Sequence, residues 1–186
     1  MKARGPGQSA LLLVDVAGML TKQGIDYAVI GALAAAVHGS MRATTDADAL
    51  LAITISRLAK LKKVFRDAGV ETDLRRGDSD DPIPAILAIT DTHGNRVELL
   101  SGLRGLDPEA FTRRIRVKFH GAALRFIGRE DFIAMKCYAG RPQDIADARL
   151  ALTIRDQPID IDLLRRLARR FGRPAADSLE KLLTDS

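Results

Sequence analysis

The sequence predicts an α+β protein: a mixed β-sheet flanked by helices over residues 1–128, then a helical segment over residues 129–186 packed on that core. Three observations predict it. Strand and helix patterns alternate as far as Ile127 and give way to helical periodicity alone after Gly128. Residues 27–53 read as strand, helix, strand, with a glycine at the first junction. A chain of 186 residues that is 46% hydrophobic can bury a sizeable core, which excludes wholesale disorder. The two parts also fit one domain with a helical appendage.

Taken in order, residues 1–7 read as a loose tail, given Gly5, Pro6 and Gly7. Ser9 is placed to cap a helix whose apolar positions Leu11, Leu12, Val14, Val16 and Leu20 continue to about Lys22, with Gly24 as its stop. Tyr27 to Ile30 form a short apolar run that ends on Gly31, as a buried strand does. The alanine-rich stretch from Ala32 to Val37 suits a close-packed helix. His38, Gly39 and Ser40 break it, and a polar linker carrying Arg42 leads into a second strand from Asp46 to Ile53. Ser56 is placed to cap the next helix, apolar at Leu58, Leu61, Val64, Phe65 and Ala68 and closed by Gly69.

Residues 75–81 form a polar loop bounded by Pro82 and Pro84. Residues 85–90 and 96–100 make a hairpin turning at His93-Gly94-Asn95, and Glu98 interrupts its apolar second strand. A short helix with Pro108 in its first turn spans residues 106–114. A second hairpin, residues 115–119 and 122–127, turns at His120-Gly121. Helices follow over 129–139, 143–155, 160–171 and about 174–183. Asp144 and Asp147 lie one turn apart and share a side. Arg165, Arg166, Arg169 and Arg170 read as a solvated helix face rather than an RNA-binding surface.

The net charge of +5 and pI near 9.7 permit attraction to polyanions. At 4% aromatic residues and no tryptophan, a stacking platform for single strands is not expected, and the charge alone leaves nucleic-acid binding open. The single cysteine, Cys137, rules out an intrachain disulfide framework and fits a reducing cytoplasm and a core position. No apolar stretch approaches the roughly 20 residues that span a bilayer, so no membrane role is expected.

The chemistry concentrates on carboxylates. Residues i and i+2 of a strand share a face, so Asp46 and Asp48 project together from a strand otherwise built of Ala, Leu and Ile. Two like charges there repel and are costly to desolvate unless a cation compensates, which points to a metal site. Alone, an Asp-x-Asp is more often a solvated strand end. With Glu98 it becomes a triad able to hold Mg²⁺, an ion that keeps places for waters and substrate phosphates. Gly31, at a strand-to-helix turn, offers backbone N–H groups to a phosphate. Together these parts describe phosphoryl or nucleotidyl transfer.

These residues resemble the DNA polymerase β-like nucleotidyltransferase superfamily. The resemblance rests on Gly31-Ala32, on the linker through Arg42, Thr44 and Thr45 to Asp46-Ala47-Asp48, and on Glu98 in RVELL. The stretch EDFIAMKCYAGRPQDIADARLAL is similar to the AbiEii-type abortive-infection toxins and related bacterial nucleotidyltransferases, with Lys136, Arg141, Asp144 and Asp147 at the matching positions. The resemblance implies that Asp46 and Asp48 bind Mg²⁺, that Glu98 completes the site or acts as base, that Lys136 contacts nucleotide phosphates, and that Asp144 or Asp147 supports the site. Ala32 stands where many members carry Ser or Gly. Ser40, Thr44 and Thr45 are the substitutes for that hydroxyl. Lys136 has a second reading as a snorkelling or structural ion pair with Asp144 or Asp147.

The expected function is a Mg²⁺-dependent transfer of NMP from an NTP to an acceptor hydroxyl. A tRNA or another RNA is one expected acceptor, with a protein or small-molecule acceptor also open, and a toxin partnered by an antitoxin or other neighbour-encoded protein is one expected role. The competing reading is a catalytically weak or inactive binding module of the same fold, favoured by Ala32. A hydrolase using the same carboxylates ranks last, for want of a nucleophile or a His-Asp metal cluster.

Overall fold

The computed structural model describes residues 2–154 and 158–185. Met1 of the expected tail and Arg155 of the helix expected over 143–155 lie outside the described residues. The architecture is the α+β arrangement the sequence predicts. Strands β1 (Tyr27–Ile30), β2 (Asp46–Leu51), β3 (Glu71–Arg76), β4 (Ala85–Thr90), β5 (Arg96–Leu100), β6 (Ile115–Phe119) and β7 (Ala122–Phe126) form one sheet. Its order is β3-β4-β5-β2-β1-β7-β6. Pairs β2–β5 and β1–β7 are parallel, and the remaining neighbours are antiparallel.

Period-2 patterning fixes which face of the sheet is covered. On β2 and β5 the side chains of Ala47, Ala49, Leu51, Val97 and Leu99 are buried against α1 (Ser9–Lys22). Helix α3 (Ile55–Asp67) covers the same layer beyond, over β3 and β4. The alternate residues Asp46, Asp48, Arg96 and Glu98 occupy the opposite face. Helix α2 (Gly31–Val37) follows β1 directly. Helices α4 (Arg129–Ala139), α5 (Pro142–Thr153), α6 (Ile161–Arg170) and α7 (Arg173–Thr184) pack around α4. One cluster of buried apolar side chains runs from Leu12 of α1 to Leu182 of α7.

Several local expectations change. Residues 2–7 are tied down: Ala3 is in the core, and the buried Asn95 amide donates to the Gly5 carbonyl at 2.9 Å. Ser9 does not cap α1, whose N-cap is Gln8. Its hydroxyl instead donates to the Thr45 carbonyl and accepts from the Arg96 backbone N–H, joining the starts of β2 and β5. Thr54 rather than Ser56 caps α3, accepting from Arg57 N, because the chain leaves β2 only a few residues earlier. Strand β3 takes in Arg75 and Arg76 from the expected loop. The helix expected over 106–114 is a short 3₁₀ turn, Pro108–Phe111, capped by Asp107.

The helical part is locked to the sheet by a bidentate pair between Arg113 and the buried Asp131 of α4, with both N–H···O distances at 2.7 Å. Removing one partner leaves an uncompensated buried charge. Arg113→Ala is expected to lower unfolding free energy by roughly 3–5 kcal/mol in urea titrations, with Arg113→Lys recovering only part because a lysine cannot reproduce the fork.

Candidate active site

Strand pairing brings the predicted carboxylates together. The parallel register sets Asp48 beside Glu98 and Asp46 beside Arg96, while the antiparallel register sets Asp48 opposite Ile30, the last residue of β1. The next residue, Gly31, turns into α2 at φ +64°. A Cβ there would lie 2.1 Å from Asp48 Oδ2. Glycine is required both for the left-handed turn and for the carboxylate lodged against it.

Asp48 carries the strain of the arrangement. Burial, then the nearby charges of Glu98 and Asp46, push its pKa up to about 6, against smaller opposing effects of Arg42 and Lys136. Neither Asp46 nor Asp48 has an ion-pair partner among the described residues. Glu98 is different: its Oε1 accepts from Arg75 Nη2 at 2.9 Å and from Arg96 Nη2 at 2.7 Å. Among the described residues, no three His, Cys, Asp or Glu side chains converge closely enough to hold a metal by themselves.

A second cluster is built where α4 and α5 meet the linker before β2. Lys136 is 8% exposed, and its Nζ donates to Asp144 Oδ1 at 2.7 Å. It also lies 2.9 Å from Asp147 Oδ2, an ion contact without hydrogen-bond geometry, so that this buried oxygen has no donor among the described residues. Asp147 Oδ1 accepts from Ser40 Oγ at 2.7 Å and Gln143 Nε2 at 3.1 Å. Arg42 Nε stands 3.8 Å from Oδ2. Asp144 also accepts from Arg141 Nε at 2.7 Å. Burial pushes both carboxyls up, but hydrogen bonds from Arg141 and Lys136 to Asp144, and hydrogen bonds from Ser40 and Gln143 together with the nearby Lys136 charge at Asp147, outweigh it. Both are held below the ordinary carboxyl range.

The remaining linker residues have distinct settings. Thr44 Oγ1 bonds the Asp46 backbone, closing the turn into β2. Thr45 is exposed, and its hydroxyl bonds no described residue. Ala32 is buried in the first turn of α2. His38 is also buried, its Nε2 3.0 Å from the Ile127 carbonyl, and burial holds its pKa down.

Between the two clusters lies a cleft of about 290 Å³. Gly31, Lys136, Arg141 and Asp144 form its polar edge, and Leu50, Leu100, Ile83, Phe132 and Met135 its apolar wall. Leu50 and Leu100 continue the rows of Asp48 and Glu98 on the same sheet face. Reasoning from the chain missed Arg75, Arg96 and Gln143. Arg96 was detectable, lying two residues before Glu98 on one strand; Arg75 arrives from two strands away and left no local signal.

Comparison with known proteins agrees with this geometry. No curated protein sequence matches the chain. Among solved structures it is similar to the antibiotic-resistance factor ANT(2″)-Ia, at 14% identity and TM-score 0.59, covering 96% of this chain and 98% of that one. It is similar to an antigenic nucleotidyltransferase-like protein from Paracoccidioides brasiliensis, at 16% identity and TM-score 0.57, covering 98% and 91%. The lincosamide adenylyltransferase LnuA in its lincomycin-bound form matches at 11% identity and TM-score 0.52, covering 82% and 100%. At such identities the likeness shows the fold. A family model described as a nucleotidyl transferase of unknown function (DUF2204) matches residues 9–183, nearly the whole chain, and the protein belongs to that family of nucleotidyltransferase enzymes.

Proposed function

We propose that the protein transfers an NMP group from an NTP to an acceptor hydroxyl with the help of a divalent cation, Mg²⁺, held by Asp46 and Asp48. The observation that carries this reading is the Asp48 carboxylate, lodged against Gly31 and set beside Glu98 with no cation of its own. Hard oxygen donors on a charge-frustrated strand fit Mg²⁺, which is commonly bound through one or two carboxylates plus substrate phosphates rather than by a full protein cage. Bound there, the ion would supply charge neutralisation at the α-phosphate and the departing pyrophosphate.

The side chains divide the remaining work. Glu98, oriented by Arg75 and Arg96, is the candidate third ligand or base for the acceptor hydroxyl. Lys136, Asp144 and Asp147 act as positioning residues, fixing Ser40 and Arg42 and through them the linker into β2. Of the linker hydroxyls, Thr45's is free to meet a phosphate in place of the one Ala32 lacks. The apolar wall of the cleft suits a nucleobase or a small apolar acceptor.

The +5 net charge supports tRNA or another RNA as acceptor. The AbiEii-like spacing of Lys136, Arg141, Asp144 and Asp147 supports a toxin role with an antitoxin partner. A buried, unpaired Cys137 suits the cytoplasm. A non-catalytic regulatory module is the second reading, favoured by the two arginines that occupy Glu98.

Incubation with labelled NTPs, Mg²⁺ and either total RNA or small hydroxyl compounds should yield a labelled acceptor. Asp48→Asn should reduce it by at least about a hundredfold, since it removes a ligand charge. Labelling that survives this change defeats the assignment.

Asp48 also makes a pH prediction. Its pKa of about 6 lies above its ordinary 3.8, so the folded state holds an extra proton between those values and loses stability as pH rises through that window. Asp48→Asn should therefore stabilise the protein by roughly 1–3 kcal/mol at pH 7–8, with the difference vanishing below about pH 4. Thermal melts across pH would read it, and Mg²⁺ should raise the melting temperature of the wild type but not of the variant.

Gly31→Ala tests the cradle. The new methyl collides with Asp48 Oδ2 at a positive φ, so transfer should fall with Asp48 displaced, and stability should drop by about 1–3 kcal/mol in urea titrations.

A further inference from the structure

The start of β1 carries a basic pocket of about 180 Å³, lined by Asp26, Phe111, Thr112, Arg114, Arg116 and Arg125. Four residues of β1 separate it from Gly31, about 13 Å at strand rise, so it stands apart from the carboxylate end. Its three arginines are in different states. Arg114 is committed: it donates to the Phe111 carbonyl, to the Tyr27 carbonyl at 2.8 Å and to Asp26 Oδ1 at 2.9 Å. Arg125 makes one long contact to Asp26, at 3.4 Å, and lies 5.7 Å over the Tyr27 ring. The Arg116 side chain has no ion pair or hydrogen bond with any described residue.

The hairpin register sets Arg116 directly opposite Arg125. Like charges facing each other across strands destabilise a sheet. Here the single carboxylate nearby, Asp26, is shared with Arg114 and compensates neither arginine fully. Three guanidiniums and one carboxylate leave two positive charges, which would balance a phosphate dianion. Guanidinium forks match phosphate oxygens in planar, paired hydrogen bonds. Arg116 and most of Arg125 have donors to spend, while Arg114 holds the floor of the pocket rigid.

We propose that this pocket is a phosphate-binding site, with Arg116 and Arg125 as its binding residues and Arg114 as their support. The ligand is a phosphate group, carried either on a nucleic-acid backbone or on a small phosphorylated molecule. The site does not depend on the nucleotidyl-transfer reading, and its test requires no turnover.

The full chain is titrated at low ionic strength with inorganic phosphate by calorimetry, and with a fluorescent single-stranded RNA by anisotropy. Wild type, Arg116→Ala and Arg116→Glu are compared, with circular dichroism to verify folding. Arg116 is exposed and unpartnered, so its variants should fold normally. Saturable phosphate binding in the wild type that weakens on the order of tenfold in Arg116→Ala, and further in Arg116→Glu, supports the site. If RNA affinity falls in parallel, and its salt slope drops by about one, the source is the phosphodiester backbone. If phosphate binding falls while RNA affinity holds, the source is a small phosphorylated molecule. Absence of saturable phosphate binding together with unchanged RNA affinity in both variants overturns the proposal.

Discussion

The contact between Gly31 and Asp48 is the constraint on which the rest of the site depends. Antiparallel pairing of β1 with β2 places Ile30 across from Asp48, and the chain must leave β1 at that level to begin α2. Any side chain at the departure point would enter the space of Oδ2. The absence of a Cβ therefore sets both the direction of the turn and the position of the carboxylate. Parallel pairing of β2 with β5 then brings Glu98 alongside. Strand pairing thus fixes residues far apart in the chain relative to one another, a more precise support than loops provide.

The second support is electrostatic. Lys136, Asp144 and Asp147 are nearly inaccessible, and a buried ion set of this kind contributes little net stability compared with apolar packing. Its value lies in what it specifies. Asp147 reaches from α5 to Ser40 and towards Arg42, so the linker that delivers Asp46 to the sheet is held by helices lying well beyond it in the chain. The buried Arg113–Asp131 pair does the same for the base of α4. Both networks make the helical part a clamp on the sheet, with the cleft between them.

Much of this was legible in the chain because it is local. The apolar run ending on Gly31, the Asp46-Ala47-Asp48 alternation and the hairpin holding Glu98 each follow from short-range periodicity and turn chemistry. The helix of Asp144 and Asp147 is equally plain from spacing. What escaped has non-local causes. Ser9 looked like a cap because its hydroxyl is a good acceptor, yet the nearest groups in space are Thr45 and Arg96, from two strands. Strand β3 was obscured because exposed charges occupy its open face and Thr72 and Leu74 alone face inward. The grip of Arg75 on Glu98 depends on the order β3-β4-β5, which no single segment encodes.

That grip completes the charge pattern of the site. Arg75 and Arg96 are spent on Glu98, and Lys136 and Arg141 on Asp144 and Asp147, with Arg42 leaning towards the last of these. The cations near the cleft are thus assigned to three of the five carboxylates. Of the five, Asp46 and Asp48 have no ion-pair partner among the described residues, and Asp48 bears the cost as a pKa of about 6. The backbone register and the lack of a side chain at Gly31 keep Asp48 in place and its charge uncompensated. An arrangement that pairs the neighbouring acids with cations and leaves two open is preorganised for a cation arriving from solution, because binding then releases repulsion already built into the fold.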